Sequence, residues 1–321
     1  MDGEKKYFYG PVPSRRLGLS YGVDIVPFKV CTLDCIYCQL GKSTNVSIER
    51  RNYVPIEPIL AELKEILTEG EKSDFITIAG SGEPTLNSQL GKLIEGIKNI
   101  TDIPVAILTN GTLFYKEDVR VDCAKADVVM PSLDAGDTKT FQKVNRPHRD
   151  INIENLIFGL CSFRDEFVGQ IWLEVFFVEG LNTESDQISK IKKAIEHIRP
   201  DKVHLNTAVR PTAEPNLKRL DIEKLRAIAA QLGPQCEIIA DFPTLHHVNF
   251  PEKKADDVLS ILKRRPCTLN DISSGLSIDH NEAMKYIRDL QHRGLIISEQ
   301  KDGILFFKAN IGVRLCFPRP T

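Results

Sequence analysis

Cys31, Cys35 and Cys38 stand in a C-x3-C-x2-C spacing, within a loop too short to place their sulfurs around more than one centre. Soft thiolates select zinc, copper(I) or iron–sulfur clusters. A closed structural zinc site needs a fourth Cys or His ligand, and no suitable residue lies nearby in the sequence. A four-iron cluster with three protein ligands instead leaves one iron open for a substrate. The spacing favours such a cluster, with zinc or three unrelated cysteines as the alternatives.

Polar residues follow several apolar, strand-like segments. Glycines let the backbone approach a ligand closely, and a carboxylate can offset an ammonium group. The residues concerned are Gly82, Glu83 and Pro84 after segment 74–79, Asn110 after 104–108, Ser132 and Asp134 after 127–131, and Asn206 and Arg210 at the end of or after 202–206. Each is a candidate ligand contact, with a plain turn or cap as the alternative.

Three further polar residues are candidates for the same site. Glu174 lies inside an apolar segment, where burial penalises a charge unless it is paired. We expect it to face the interior of the fold, or else to lie on an exposed edge strand. Asn145 and Arg146 lie in the loop VNRPH and, with Arg210, are candidates for contact with a substrate.

The elements that must position these residues alternate along the chain. Near-continuous apolar runs predict strands, and apolar residues recurring at three and four predict helices. The strands are expected at 20–26, 74–79, 104–108, 127–131, 170–178 and 202–206, and the helices at 57–70, 86–100, 151–163 and 186–198. This alternation predicts an α/β fold with a parallel sheet, open or curled into a partial barrel, that binds ligands at the carboxyl ends of its strands.

The pattern changes near residues 241–251, which contain two prolines and show neither helical nor strand periodicity of apolar residues. We therefore predict a core domain at 1–245, a linker at 246–254 and a smaller domain at 255–321. That domain shows three helical patterns and then two strand patterns around Asp302-Gly303, which is typical of a winged helix-turn-helix. Residues 252–321 carry 12 Lys and Arg against nine Asp and Glu, and a net charge of +3 only weakly favours phosphate contacts.

The cysteine spacing, with the aromatic Tyr37 directly before the last cysteine, resembles the signature of the radical S-adenosylmethionine (SAM) superfamily. The resemblance implies a partial (βα)6 barrel, a [4Fe-4S] cluster on the three cysteines and SAM on the open iron. It implies reductive cleavage of SAM to a 5′-deoxyadenosyl radical that abstracts hydrogen from a substrate. The residues expected around SAM are Tyr37, Gly82, Glu83, Pro84, Asn110, Ser132, Asp134, Glu174 and Asn206.

Residues 8–245 further resemble one branch of that superfamily, the iron–sulfur oxidoreductases near the archaeal tRNA wyosine-synthesis enzymes. The shared stretches include GPVPSRRLG, SGEPTLN, TNGTL and VRPTAEP. This branch implies tRNA modification, with an RNA base as substrate. Wyosine synthases carry a second cluster on upstream cysteines, and here no cysteine precedes Cys31. A polypeptide substrate held by the winged helix is an alternative, and an iron–sulfur redox or SAM sensor that binds DNA is another.

Composition limits the remaining choices. The chain has 321 residues and a net charge of −2, so it can bury a large core but has no overall field that attracts nucleic acid or anionic membrane. No apolar run reaches the ~20 residues that a bilayer requires. We expect a cytoplasmic protein without membrane contact. The implied partners are a reductase, ferredoxin or flavodoxin that supplies electrons, and the RNA or polypeptide substrate.

Overall fold

The computed structural model of the chain describes residues 7–14, 16–68, 73–240, 255–276, 278 and 280–310. The strands, in chain order, are β1 Phe8–Ser14, β2 Gly18–Val23, β3 Val30–Cys31, β4 Asn45–Val46, β5 Phe75–Ile78, β6 Val105–Leu108, β7 Val128–Met130, β8 Gln170–Phe177, β9 Lys202–Thr207, β10 Cys236–Ile238, β11 Ile296–Lys301 and β12 Ile304–Ala309. The α-helices are α1 Ile56–Thr68, α2 Leu90–Lys98, α3 Glu117–Cys123, α4 Thr138–Val144, α5 Ile153–Glu166, α6 Ser185–Ile198, α7 Ile222–Leu232, α8 Ala255–Leu262, α9 Leu269–Leu276 and α10 His280–His292. No described helix is both long and apolar enough to cross a membrane.

One large sheet has the strand order β1-β2-β5-β6-β7-β8-β9-β10. From β2 through β9 every neighbouring pair in this sheet is parallel, and these six strands coincide with the six expected ones. The four expected helices are present as α1, α2, α5 and α6, and α3, α4 and α7 add to them. The α/β fold class is therefore confirmed, with a mostly parallel sheet arranged as a partial barrel.

The two faces of the sheet bury different sets of side chains. On β8, Leu173 and Val175 belong to the main apolar core, together with residues of the helices. Trp172 points to the opposite face, because side chains alternate along a strand, and packs with Leu17 and Met130 in a smaller cluster. The first face is covered by helices, and the second encloses the interior of the barrel.

The edge strand β1 was not expected from the sequence. Among the described strands it pairs with β2 alone, in antiparallel fashion. Pro11 and Pro13 interrupt its pattern, because proline cannot donate a hydrogen bond to a neighbouring strand. An edge strand tolerates this loss, since one of its sides has no partner strand.

The C-terminal elements follow the predicted order of three helices and a closing hairpin. Strands β11 and β12 pair in antiparallel register around Asp302 and Gly303, whose φ angles of 51° and 77° suit a two-residue hairpin turn. Val258, Ile287 and Phe307 lie in a separate apolar core. The predicted linker lies outside the described residues, and the winged helix-turn-helix remains our interpretation of this element order.

This C-terminal unit contacts the large sheet near both of its edges. At one edge, Val12 of β1 packs against the C-terminal core, and the Arg264 guanidinium lies 3.5 Å from the centroid of the Tyr9 ring. Near the other edge, Arg210 follows β9 and is buried, with Nη1 donating to the Pro266 carbonyl at 2.8 Å and pairing with Asp271 at 3.2 Å. The C-terminal unit therefore contacts both β1 and the loop after β9, near opposite ends of the sheet.

The buried pair between Arg210 and Asp271 provides a test of this docking. Replacing Arg210 with Met should lower the free energy of unfolding by about 3 kcal/mol, because it leaves a carboxylate buried without its cation. Urea denaturation measures the change, and the R210M/D271N double variant should cost less than the sum of the two single variants. The exposed Arg226→Met is the control, expected within about 0.5 kcal/mol of the wild type. An R210M protein as stable as this control would contradict the prediction.

Candidate functional site

The three cysteines lie in residues 24–44, between β2 and β4. We call this segment, which contains the short strand β3, the cysteine loop. Burial raises the pKa of the Cys31 thiol to about 12, and the nearby Glu83 and Cys38 add to the shift. Burial also raises the pKa of Cys35 well above its usual value, and Cys31 and Cys38 contribute to that shift. The three sulfurs therefore interact electrostatically, as groups around one centre should. At Cys31 and Cys35, this environment favours the protonated thiol over the thiolate.

Each of the three sulfurs lies within hydrogen-bonding distance of one side-chain nitrogen. Asn110 Nδ2 is 3.5 Å from Cys31 Sγ, and Asn145 Nδ2 is 3.5 Å from Cys35 Sγ. Lys29 Nζ is 3.2 Å from Cys38 Sγ. The three donors come from the loop after β6, the C-terminal end of α4 and the cysteine loop itself.

This donor set fits an iron–sulfur cluster. Cluster sulfurs accept hydrogen bonds from the protein, and those bonds adjust the stability and reduction potential of the metal centre. Among the described residues, no three Cys, His, Asp or Glu side chains lie close enough together to hold a single metal ion. The thiolates of a four-iron cluster bind different irons, so they do not need to meet at one ion.

Asn110 connects the cysteine loop to the loop after β6. Its Nδ2 also donates to Thr32 Oγ1 at 2.7 Å, and its Oδ1 accepts from Thr112 N at 3.0 Å. Thr32 and Thr112 in turn share a hydrogen bond of 2.7 Å between their hydroxyl groups. The side chain predicted to contact SAM is thus held by both loops, beside the first cysteine.

The Glu83 side chain holds the backbone of Asn110 in position. Its buried carboxylate accepts hydrogen bonds from Thr85 N at 3.1 Å, Thr109 Oγ1 at 2.6 Å and Asn110 N at 2.8 Å. We expected this carboxylate to offset the SAM ammonium, but the structure directs it into the protein, where backbone and hydroxyl donors satisfy it. Burial raises the pKa of Glu83, and these hydrogen bonds oppose the shift.

Gly82 and Pro84 shape the same turn. A Cβ atom at Gly82 would lie 2.0 Å from the Val30 carbonyl oxygen, so only glycine permits this approach to the cysteine loop. Glu83 N donates to the same carbonyl at 3.0 Å. Pro84 begins a short 3-10 helix, Pro84–Leu86, whose first turn does not need the missing N–H. The loop after β5 therefore packs directly against the cysteine loop.

Asp134 is the centre of a second buried network. It accepts hydrogen bonds from the Tyr37 hydroxyl, from Asn145 Nδ2 at 2.7 Å and from Phe176 N at 2.8 Å. Burial raises the pKa of Asp134 to about 6. The Tyr37 ring stacks on the Phe176 ring, with centroids 4.0 Å apart. Asn145 Oδ1 is buried and has no hydrogen-bond partner among the described residues, which leaves one acceptor beside Cys35 for a ligand.

Glu174 lies on the interior face of β8. It forms an ion pair with Arg16, which reaches it from the turn between β1 and β2, and it accepts a hydrogen bond from Asn206 Nδ2 at 3.1 Å. Ser132 bridges to the Glu174 backbone and is half-buried. The structure therefore brings Ser132, Glu174 and Asn206 together, and it gives the charge of Glu174 a partner.

Two predicted substrate residues lie away from this arrangement. Arg210 is buried against Asp271 and Pro266, so it joins the two units of the chain instead of facing a ligand. Arg146 is 40% exposed and pairs with Glu214 Oε1 at 2.7 Å, at the rim. Lys29 was missed, although a lysine two residues before the first cysteine, within an apolar run, was a usable signal.

Comparison with known proteins gives consistent results. The model of the Radical SAM superfamily matches residues 25–188. The chain is 33% identical over 313 residues to the UPF0026 protein MJ1312 of Methanocaldococcus jannaschii, with 95% of this chain and 97% of that protein covered. It is 39% identical over 309 residues to a Brachyspira hyodysenteriae protein named GTPase Obg, with 95% of this chain but only 45% of that protein covered. Streptococcus suis SuiB, solved with its precursor peptide SuiA, has a similar fold, with a TM-score of 0.53 and 17% identity over 68% of this chain and 48% of SuiB.

The role of Glu83 can be tested through stability. Glu83→Gln should lower the free energy of unfolding by about 2 kcal/mol, because the new amide group would place a donor against the Asn110 N–H. The measurement is urea denaturation followed by circular dichroism. Glu95→Gln on α2 is the control, because Glu95 is an exposed partner of Lys125 and its loss should cost at most about 1 kcal/mol. Equal stability of the two variants would argue against a positioning role for Glu83.

Proposed function

The chain belongs to the radical SAM superfamily and is a radical SAM enzyme with a [4Fe-4S] cluster and SAM as cofactors, and on this premise we propose that it modifies an RNA base in tRNA. The observation that supports the cluster assignment is the set of three cysteine sulfurs, each with its own side-chain nitrogen donor. Cys31, Cys35 and Cys38 would bind the cluster.

A cluster held by Cys31, Cys35 and Cys38 would supply the electron for reductive cleavage of SAM, the chemistry that starts hydrogen abstraction from the substrate in this superfamily. The chain supplies binding, orientation and exclusion of water. Asn110, Asn145 and Lys29 would hold the three thiolates at fixed distances. The network around Asp134 would fix Tyr37 over Phe176, so that one wall of the site keeps its shape during turnover.

SAM would lie across the carboxyl ends of the parallel strands, where this fold binds its ligands. The unpaired acceptor Asn145 Oδ1 suits an ammonium group such as that of the methionine part of SAM. Glu174, already paired with Arg16, would support the floor of the site. The predicted contacts that would line it are Tyr37, Gly82, Pro84, Asn110, Ser132, Asp134 and Asn206.

The RNA substrate is supported by the C-terminal unit and by the branch that the sequence resembles. Helix α10 presents Lys285, Arg288 and His292 on its exposed side, in the position that a winged helix uses to contact nucleic acid. A polypeptide substrate is the second candidate, because Ile297, Ile304 and Leu305 are exposed on the hairpin and would suit strand addition. The electron donor would be a reductase, ferredoxin or flavodoxin.

The enzyme assignment leads to a direct assay. The protein is reconstituted anaerobically with iron and sulfide, supplied with SAM and dithionite, and assayed for 5′-deoxyadenosine with and without bulk tRNA. We expect Cys35→Ala to lower the yield at least about 100-fold, because two cysteines do not replace the three thiolate ligands that the cluster needs. Cys161→Ala on α5 is the matched control and should keep wild-type yield. Wild-type protein that loads a cluster yet forms no deoxyadenosine, even with cell extract, would favour the DNA-binding sensor instead.

Lys29 allows a second test, independent of turnover. Lys29→Met removes the positive charge beside Cys38 Sγ, so the midpoint potential of the cluster should become more negative by about 60 mV, the one-electron equivalent of a tenfold change. A redox titration followed by electron paramagnetic resonance without SAM measures the shift. Lys29→Arg keeps the charge and should restore most of the potential. Identical potentials in all three proteins would show that Lys29 does not act on the cluster.

A further inference from the structure

A small cleft of about 80 Å3 lies between the cysteine loop and the C-terminal unit. Phe28 and Gly41 line it from the cysteine loop, and Thr212 lines it from the loop after β9. Lys263, Arg265 and Lys308 line it from the C-terminal unit. Because the cysteine loop and the loop after β9 both lie at the carboxyl ends of parallel strands, the cleft opens on the same side as the candidate active site.

The charges on this cleft have one sign. Three of its lining residues are cations, and among the described residues no Asp or Glu lines it. Lys308 is neutralised by an ion pair with Glu299. Lys263 has no ion pair or side-chain hydrogen-bond partner within the described parts of the chain. Arg265 interacts with the Cys267 thiol but has no ion pair there. A half-buried cation without an anion is unfavourable, and a bound anion would offset that cost.

The cations are held in place by the junction between the two units. Pro266, next to Arg265, accepts the hydrogen bond from buried Arg210 at 2.8 Å. Lys301 Nζ donates to the Arg210 carbonyl at 3.1 Å and to the Leu217 carbonyl at 3.4 Å. The segment that carries Lys263 and Arg265 is thus fixed relative to the loop after β9, as a preorganised anion site requires.

The cleft also adjoins the cysteine loop closely. The Gly41 carbonyl accepts a hydrogen bond from the Lys29 ammonium, which itself lies 3.2 Å from Cys38 Sγ. A Cβ atom added at Gly41 would meet no atom within 4 Å, so the chain leaves open space at this point. A ligand in the cleft would therefore be separated from the third cysteine by a single side chain.

We propose that this cleft binds a phosphate group of the substrate, so that the substrate is a nucleoside phosphate, either free or within an RNA chain. The proposal deepens the proposed function and rests on it. Phosphate is the anion that suits an arginine beside a lysine, because the guanidinium binds two of its oxygens at once and the ammonium adds a point charge. The exposed face of α10 would then contact more distant parts of an RNA.

The experiment measures binding of bulk tRNA and, separately, of GTP to the cluster-loaded full chain at several salt concentrations. We expect K263Q/R265Q to weaken tRNA binding at least tenfold and to reduce the salt slope by about one, for the one lost phosphate contact. The matched control K193Q/R226Q removes two exposed cations from α6 and α7 and should bind as the wild type does. Iron content and circular dichroism confirm that each variant is folded and loaded.

The two probes separate the cleft from the RNA substrate. If the wild type binds GTP but not tRNA, and K263Q/R265Q loses GTP binding, the result supports the phosphate site in the cleft and excludes an RNA base as the substrate. If K263Q/R265Q binds tRNA as the wild type does, the phosphate site in the cleft is overturned and the RNA proposal stands. Wild-type protein that binds neither probe overturns the cleft, and 5′-deoxyadenosine formation still reports separately on the enzyme.

Discussion

The site depends on holding three sulfur atoms of one short loop in fixed positions. The loop supplies one donor itself, Lys29 beside Cys38, and the other two donors come from elsewhere in the chain. Asn110 and Asn145 reach the sulfurs of Cys31 and Cys35 from sequence separations of 79 and 110 residues. These contacts exist only when the parallel sheet has brought the ends of its strands together, so the geometry of the site is a consequence of the whole fold.

Two buried carboxylates, Glu83 and Asp134, and the half-buried Glu174 support this arrangement. Glu83 accepts only neutral donors, from the backbone and from threonine hydroxyls. Asp134 also accepts neutral donors, and burial raises its pKa to about 6. Glu174 has a cation, Arg16. Burying a polar network is costly unless every member is paired, so such networks tolerate few alternative packings, which suits a site whose sulfurs must not move.

The sequence predicted the features that depend on neighbouring residues. It did not predict contacts between side chains that are far apart in the chain. Six continuous apolar runs are enough to identify the parallel strands, because burial on both faces requires them. The cysteine spacing predicts the ligands of the cluster in the same local way. Arg210 shows the limit, since its partner Asp271 lies 61 residues further along the chain and nothing near Arg210 indicates that it is buried. The direction of Glu83 was missed for the same reason, because Thr109 and Asn110 approach it from another strand end.

The C-terminal unit changes what the barrel can bind. A partial barrel has two free edges, and a substrate of any size could enter between them. Here the C-terminal unit contacts β1 on one side and Arg210 on the other. On our proposal, a unit fixed in this way would form a wall of the substrate cavity as well as a recognition surface. Lys263 and Arg265 would then favour anionic groups beside the cysteine loop, so the charge of the substrate would be recognised close to the place where its chemistry occurs.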